Sequence, residues 1–261
     1  MLNKVRNSSI IVMGIILVVL SFYCVVEAED SNAVERFVKI QCDADQVAEA
    51  TGNDSILSSY YKSYECHKVS GNTKSQAKEN ARNDILQREA NYWYAKKCGL
   101  LLSKDELEKQ YKQFLDDIKG AEEYNEIQKY YKENGRTIEK DILENQKYYE
   151  TQFVINKLYL HYREKFDNGE MVLNGKKYTE WDSYWNAVQN NALNEFKKRK
   201  DYTDLKNGLD ASEKIIDNEQ LKDKIINEGR RCRIRNEKRT VSKTSIYKDL
   251  SYSHKEIEVT K

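Results

Sequence analysis

The chain contains no proline. Since about one residue in twenty is proline in an ordinary protein, helix ends here must be made by glycine, asparagine and capping side chains. Glycine is sparse too, 10 in 261 residues, and no Gly-x-x-x-x-Gly-Lys phosphate loop or Gly-x-Ser-x-Gly elbow occurs. The three histidines, His67, His161 and His254, form no His-Glu-x-x-His pair. His161 and Glu164 sit one turn apart and read as a solvated pair, because two ligands alone do not hold a metal. No Cys-x-x-Cys is present, which leaves a zinc knuckle or a thioredoxin-like centre without support. Neither charge sign dominates: 44 Lys and Arg stand against 43 Asp and Glu, so there is no overall attraction for nucleic acid. Acidic doublets such as Asp116-Asp117 and Glu122-Glu123 are expected by chance among so many carboxylates and carry no general acid–base assignment. These absences point to a chain without a catalytic set, metal or cofactor, one that uses its surfaces.

Long apolar runs are equally scarce, with one exception. Lys4 and Arg6 precede an apolar stretch from Ile10 to Val26, and Glu27, Glu29 and Asp30 follow it. That is the charge order of an export signal with its N-terminus inside. Val26-Glu27-Ala28 suits cleavage after Ala28, and the alternative is an uncleaved anchor that touches the membrane through residues 10–26. Either way the remainder is expected outside the cytoplasm, secreted or membrane-anchored. Tyr23 before Cys24 argues against lipidation, since such sites want a small residue there. If cleavage occurs, Cys42, Cys66, Cys98 and Cys232 remain in an oxidising compartment, with three possible pairings or as free thiols.

What is plentiful is charge and helical periodicity. With 33% charged and 39% apolar residues and a mean hydropathy of −0.87, the apolar stripes are thin, which suits a mainly α, elongated helical bundle. The organising stretch is Ala95 to Leu107. A helix carrying Ala77, Ala81, Ile85, Leu86, Ala90, Trp93 and Tyr94 stops at Gly99, and Ser103 with Glu106 forms a capping box for the next, whose stripe is Leu107, Tyr111, Phe114, Leu115 and Ile118. Upstream, a short helix through Ala44, Val47 and Ala48 ends at Gly52-Asn53. Leu57, Tyr60, Tyr61 and Tyr64 mark a second helix, and Thr73 with Gln76 caps the third. Downstream, Tyr124, Ile127 and Tyr131 form a short helix closed by Asn134-Gly135. Thr137 then caps the longest helix, Ile138 to Phe166, which is stopped by Asp167-Asn168-Gly169. Met171 to Tyr178, turning at Asn174-Gly175, reads as a type I′ hairpin. Thr179 with Asp182 starts a helix faced by Trp181, Tyr184, Trp185, Val188, Ala192 and Phe196. Asp210 caps a last helix through Ile215, Ile216, Leu221, Ile225 and Ile226, ending at Gly229. A basic tail follows from Arg230 to Lys248, read as solvated or lying on anionic lipid or cell-wall polymer.

The 19 tyrosines are the strongest functional signal. Doublets at Tyr60-Tyr61, Tyr130-Tyr131 and Tyr148-Tyr149 place aromatics on more than one helix face. Off-core Tyr and Trp can hold apolar side chains and hydrogen-bond a backbone; otherwise they merely fill the edge of a thin core. The expected peptide-binding set is Tyr60, Tyr61, Tyr64, Tyr92, Trp93, Tyr94, Tyr148, Tyr149 and Phe153, in a crevice walled by the helices 57–64, 85–94 and 142–162.

On Gly99, Leu100, Leu102, Ser103, Glu106, Gly135, Thr137 and the long helix from Ile138, the sequence resembles the N-terminal domain of SurA and PrsA type chaperones, which is related to the peptide-binding arm of trigger factor. The resemblance runs from about Thr73 to Phe166 and outward to Phe196. It implies an extracytoplasmic chaperone-like module, with a SurA N-terminal-like bundle and a small β-hairpin, that cradles unfolded or nascent exported polypeptides. Relatives often add a parvulin isomerase domain; no such block exists here, so prolyl isomerase activity is not expected. The resulting organisation is residues 1–28 as signal peptide or membrane anchor, 29–200 as the chaperone-like domain, 201–229 as a C-terminal helix and 230–261 as the basic tail. The expected function is non-catalytic binding of extended polypeptide. The alternatives are an adaptor for one dedicated extracytoplasmic partner, or a residual prolyl isomerase.

Overall fold

The computed structural model describes residues 32–52, 55–121 and 124–241. The expected signal or anchor, with Cys24 and the Ala28 cleavage site, lies outside them, as does the tail from residue 242. Ten helices and one two-stranded sheet are present among the described residues: α1 (Asn32–Ala50), α2 (Ser55–Val69), α3 (Lys74–Lys97), α4 (Lys104–Gly120), α5 (Tyr124–Glu133), α6 (Ile138–Glu144), α7 (Gln146–Asp167), β1 (Val172–Leu173), β2 (Lys176–Lys177), α8 (Trp181–Phe196), α9 (Lys200–Asp217) and α10 (Glu219–Val241). No helix among them is long and apolar enough to cross a membrane.

The local signals act as their chemistry requires. Thr73 with Gln76 and Ser103 with Glu106 both close reciprocal capping boxes, and Thr137 accepts from the Lys140 amide to start α6. In the hairpin, Val172 faces Lys177 and Leu173 faces Lys176. Its turn places Asn174 at φ 51° and Gly175 at φ 78°, the two left-handed residues a type I′ turn needs.

Five boundaries differ from the sequence pattern. The helix expected around Ala44 extends back to Asn32. The long helix from Ile138 is broken at Asn145, because its side-chain amide bonds Asp141 and, across the fold, Asp45, drawing the backbone out of the helical well. Thr179 does not cap α8. The Tyr178 amide still bonds the Met171 carbonyl in the hairpin, and the cap position falls to Glu180 without a side-chain bond. Finally, Asp210 lies inside α9, and the chain breaks at Asn218, whose side-chain oxygen caps α10 at Leu221. Gly229 does not end that helix. A Cβ built there would overlap the Gln46 carbonyl, so the glycine serves a close crossing of α10 over α1, and the first part of the basic segment is helical.

The apolar residues gather in three clusters. The first joins α1, α2 and α3 to α9 and α10, with Tyr60, Tyr64, Ala81, Ile85, Leu209 and Ile216 buried among its members. Residues 201–229 thus complete the core of the N-terminal helices. The second joins α3 to α7 and α8 through Tyr94, Leu158, Tyr162, Tyr184 and Val188. The third, around Phe114, Ile138, Ile142 and Phe153, belongs to an arm made of α4 to α6 and the start of α7.

Candidate functional site

Five of the nine expected binding residues, Tyr60, Tyr61, Tyr64, Tyr94 and Phe153, are buried. Helix α2 packs against α1, α3 and α9, with Tyr61 near Asp43 of α1 and Tyr60 near Arg82 of α3 and Glu213 of α9, so adjacent tyrosines can both enter a core. Tyr60 and Tyr64 stack with ring centres 6.3 Å apart. Burial pushes the hydroxyls of Tyr60 and Tyr61 well above the ordinary tyrosine range. They are core residues with no surface to offer a ligand.

The other four are half-buried but already engaged. Tyr148 of α7 reaches between α2 and α3, with the Lys62 ammonium 4.9 Å and the Arg88 guanidinium 5.7 Å from its ring centre. Tyr149 donates to Asp141 Oδ2 at 3.1 Å. Trp93 carries Lys97 at 5.8 Å and Arg199 at 5.1 Å. Tyr92 packs at the edge of the second cluster. Where the three expected walls meet, the space holds the protein's own side chains.

A contiguous cluster of half-buried aromatic rings, which the expected set did not contain, lies on α7 and α8. The Tyr159 ring meets Trp181 edge-on at 5.1 Å and Trp185 at 5.2 Å, and the two indoles stack at 5.9 Å. All three are half-buried, and the Arg163 guanidinium lies 5.1 Å over Trp181. The i, i+4 spacing of Trp181 and Trp185 puts both on one side of α8, while Tyr184 between them turns into the second cluster. The two tryptophans were legible as a stripe. Their pairing with Tyr159, which the sequence reading did not single out, depends on how α7 lies against α8.

Further along α8, an open groove of about 750 Å³ runs between α3, α8 and α9. Leu86, Leu193 and Tyr202 line it together with Gln87, Lys197 and Lys206.

Two polar clusters also stand out. On α2 and α3, Ser63 Oγ donates to Asp84 Oδ2 at 2.8 Å, and His67 Nε2 meets the same oxygen at 2.8 Å. The carboxylate sits between hydroxyl and imidazole, so the imidazole cannot take the serine proton, and this is not the order a nucleophilic triad needs. The second cluster is buried where α1 meets the arm. Arg136, from the turn between α5 and α6, is fully buried; its Nη2 lies 3.0 Å from Asp45 Oδ2, 2.6 Å from Glu144 Oε2 and 3.7 Å from Asp141 Oδ1. The Asn145 amide nitrogen is 3.2 Å from both Asp45 Oδ1 and Asp141 Oδ1. Burial, and then the charge of Asp141, raise the Asp45 carboxyl to about 7.

Among the described residues no group of three His, Cys, Asp or Glu is placed to hold a metal ion. Among the described cysteines, Cys66, Cys98 and Cys232 are free thiols, and Cys42 and Cys66 are buried. Compared with known protein families, with characterised proteins and with solved structures, the chain matches none.

Proposed function

We propose that this chain is a non-catalytic polypeptide-binding protein of chaperone type, exported or held at a membrane, that grips extended apolar segments of unfolded or nascent exported proteins on the Tyr159, Trp181 and Trp185 surface. The observation that carries the reading is the contiguity of those three half-buried rings across two neighbouring helices. Such a face offers apolar area together with indole and phenol donors for a client backbone. The export signal read from residues 4–30 and the resemblance carried by Gly99, Ser103, Glu106, Gly135 and Thr137 agree with it.

Two or three client side chains, each contributing about 1.5 to 3 kcal/mol on burial, less the cost of association and of ordering the client, give weak, sub-millimolar affinity at best, roughly −5 kcal/mol. The test is a peptide array of segments from many exported proteins, probed with the purified chain and with a Trp181→Ala/Trp185→Ala variant. Binding spread over unrelated aromatic-rich peptides and weakened about tenfold or more in the variant, a loss of some 1.4 kcal/mol, is the expected result. Binding confined to one protein's segments would make the chain a dedicated adaptor. Absence of binding, with no delay in aggregation of a reduced client, would end the proposal.

A further inference from the structure

The polar cluster at Arg136 is placed where it can govern movement. It joins α1 of the first core to the turn and helices of the arm, whose apolar contacts lie in a cluster of their own. Charged groups seldom occupy such a junction, because burying ions costs several kcal/mol each unless the geometry satisfies them. Here it does so only in part. One guanidinium nitrogen serves three carboxylates, while Arg136 Nε and Nη1 are buried without an acceptor. Asp45 and Asp141 are drawn to one Asn145 amide and one Arg136 nitrogen, so their carboxylates crowd together on the seam.

We propose that this cluster is a proton-operated latch: a proton held on the Asp45 carboxyl, beside Asp141 and Arg136, closes the arm onto α1, and its loss loosens the arm. The groups that face it are Cys42 from α1, Lys62 from α2, Tyr131 from α5, Arg136 from the following turn, Asp141 and Glu144 from α6, and Tyr149 from α7. From α10, Arg230 approaches Asp43, a different carboxylate. With Asp45 protonated, Arg136 answers Asp141 and the half-exposed Glu144. With Asp45 ionised, a third carboxylate adds its charge to the same seam, and Lys62 at the edge is the one other cation facing it among the described residues. Opening the seam hydrates that charge.

The direction follows from the raised carboxyl of Asp45. A carboxylic acid lifted from 3.8 to about 7 in the closed form contributes closure that is complete below the ordinary value and lost as the pH rises through the raised one. The inference stands whether or not the chain binds polypeptide.

Hydrogen–deuterium exchange on the whole purified chain tests it, at about pH 5.5 and 8.5 and with times scaled for intrinsic exchange. Amides of α5, α6 and the first turn of α7 should open roughly tenfold or more faster at the higher pH, while α3 and α8 change little. Asp45→Asn keeps the shape and removes the titration, so its arm should be equally protected at both values. Equal scaled protection of the wild-type arm at the two values, loosening shared equally by α3 and α8, or a pH dependence retained in Asp45→Asn would each overturn the latch. Should that variant not fold, the wild-type protection curve decides: a midpoint near neutrality supports the latch and one below about 5 refutes it.

Discussion

Tyr60 shows how a residue's neighbours, more than its type, settle its role. Its side chain is fully buried, and its hydroxyl has no hydrogen-bond partner. A buried unsatisfied donor costs about 1 to 3 kcal/mol, so removing it at constant shape returns part of that. Tyr60→Phe is therefore expected to raise stability by roughly 1 kcal/mol, read as a higher denaturation midpoint in urea. The same variant should bind peptides as the parent does, because the ring touches only the core. Tyr61 was equally opaque in the sequence. Its hydroxyl is surrounded by Asp43 of α1 and by Glu65 and Asp223, whereas Tyr60 lies toward Arg82, Glu213 and Asp217. A doublet means an exposed aromatic only when its helix has one buried face, and α2 has more than one. The buried Arg136 was missed for a related reason. Nothing within its own stretch tells an arginine that will be enclosed from one that will be solvated, and its partner Asp45 is supplied by α1.

At the scale of elements, the contrast is between short-range and long-range causes. Both capping boxes, the Thr137 cap and the Asn174-Gly175 turn were legible, since each is decided by atoms within three or four residues. The break at Asn145 was hidden because Asp45, which holds that amide, is far away in the chain. The join at Asn218 was missed by reading Ile215 to Ile226 as one stripe, when Leu205, Leu209, Ser212 and Ile216 form the buried face of α9. Gly229 is the sharpest case. In sequence it looks like a helix stop; in the fold it remains helical and lets the α1 backbone at Gln46 approach. Gly229→Ala would gain about 1 kcal/mol of helix propensity in an isolated helix. Here the methyl group meets backbone, which cannot swing aside, and overpacking of about 1 to 3 kcal/mol or more outweighs the gain. The expected outcome is a net loss of stability in urea denaturation, with the separation of α1 and α10 largest near the substituted position. A stabilised variant would mean that the two helices do not cross there.

For the molecule as a whole, the mainly helical class with a small hairpin was legible from periodicity, while the way the ten helices of the described residues divide into three clusters was not, because stripes do not name their partners. The proposed binding surface was largely illegible for the same reason: the sequence could count aromatics but not say which ones the packing would bury and which it would leave half-buried. The thiols provide a check on the assembled arrangement that no single element could. Cys42 and Cys66 are buried on α1 and α2, Cys98 is exposed at the end of α3, and Cys232 is half-buried on α10. Burial pushes the Cys66 thiol up to about 12, and because the thiolate is the reacting form, that residue should resist alkylation twice over. In the native chain at neutral pH, iodoacetamide is expected to modify Cys98 first and Cys232 more slowly, leaving Cys42 and Cys66 until the protein is unfolded. After denaturation without any reductant, all four should carry the label by peptide mass spectrometry. A pair that stays unlabelled would be a disulfide. Prompt native labelling of Cys42 or Cys66 would instead mean that the α1, α2 and α10 packing opens as a unit. Since that core is completed only by the C-terminal helices, the thiol order reports whether both ends of the described chain are locked into one body.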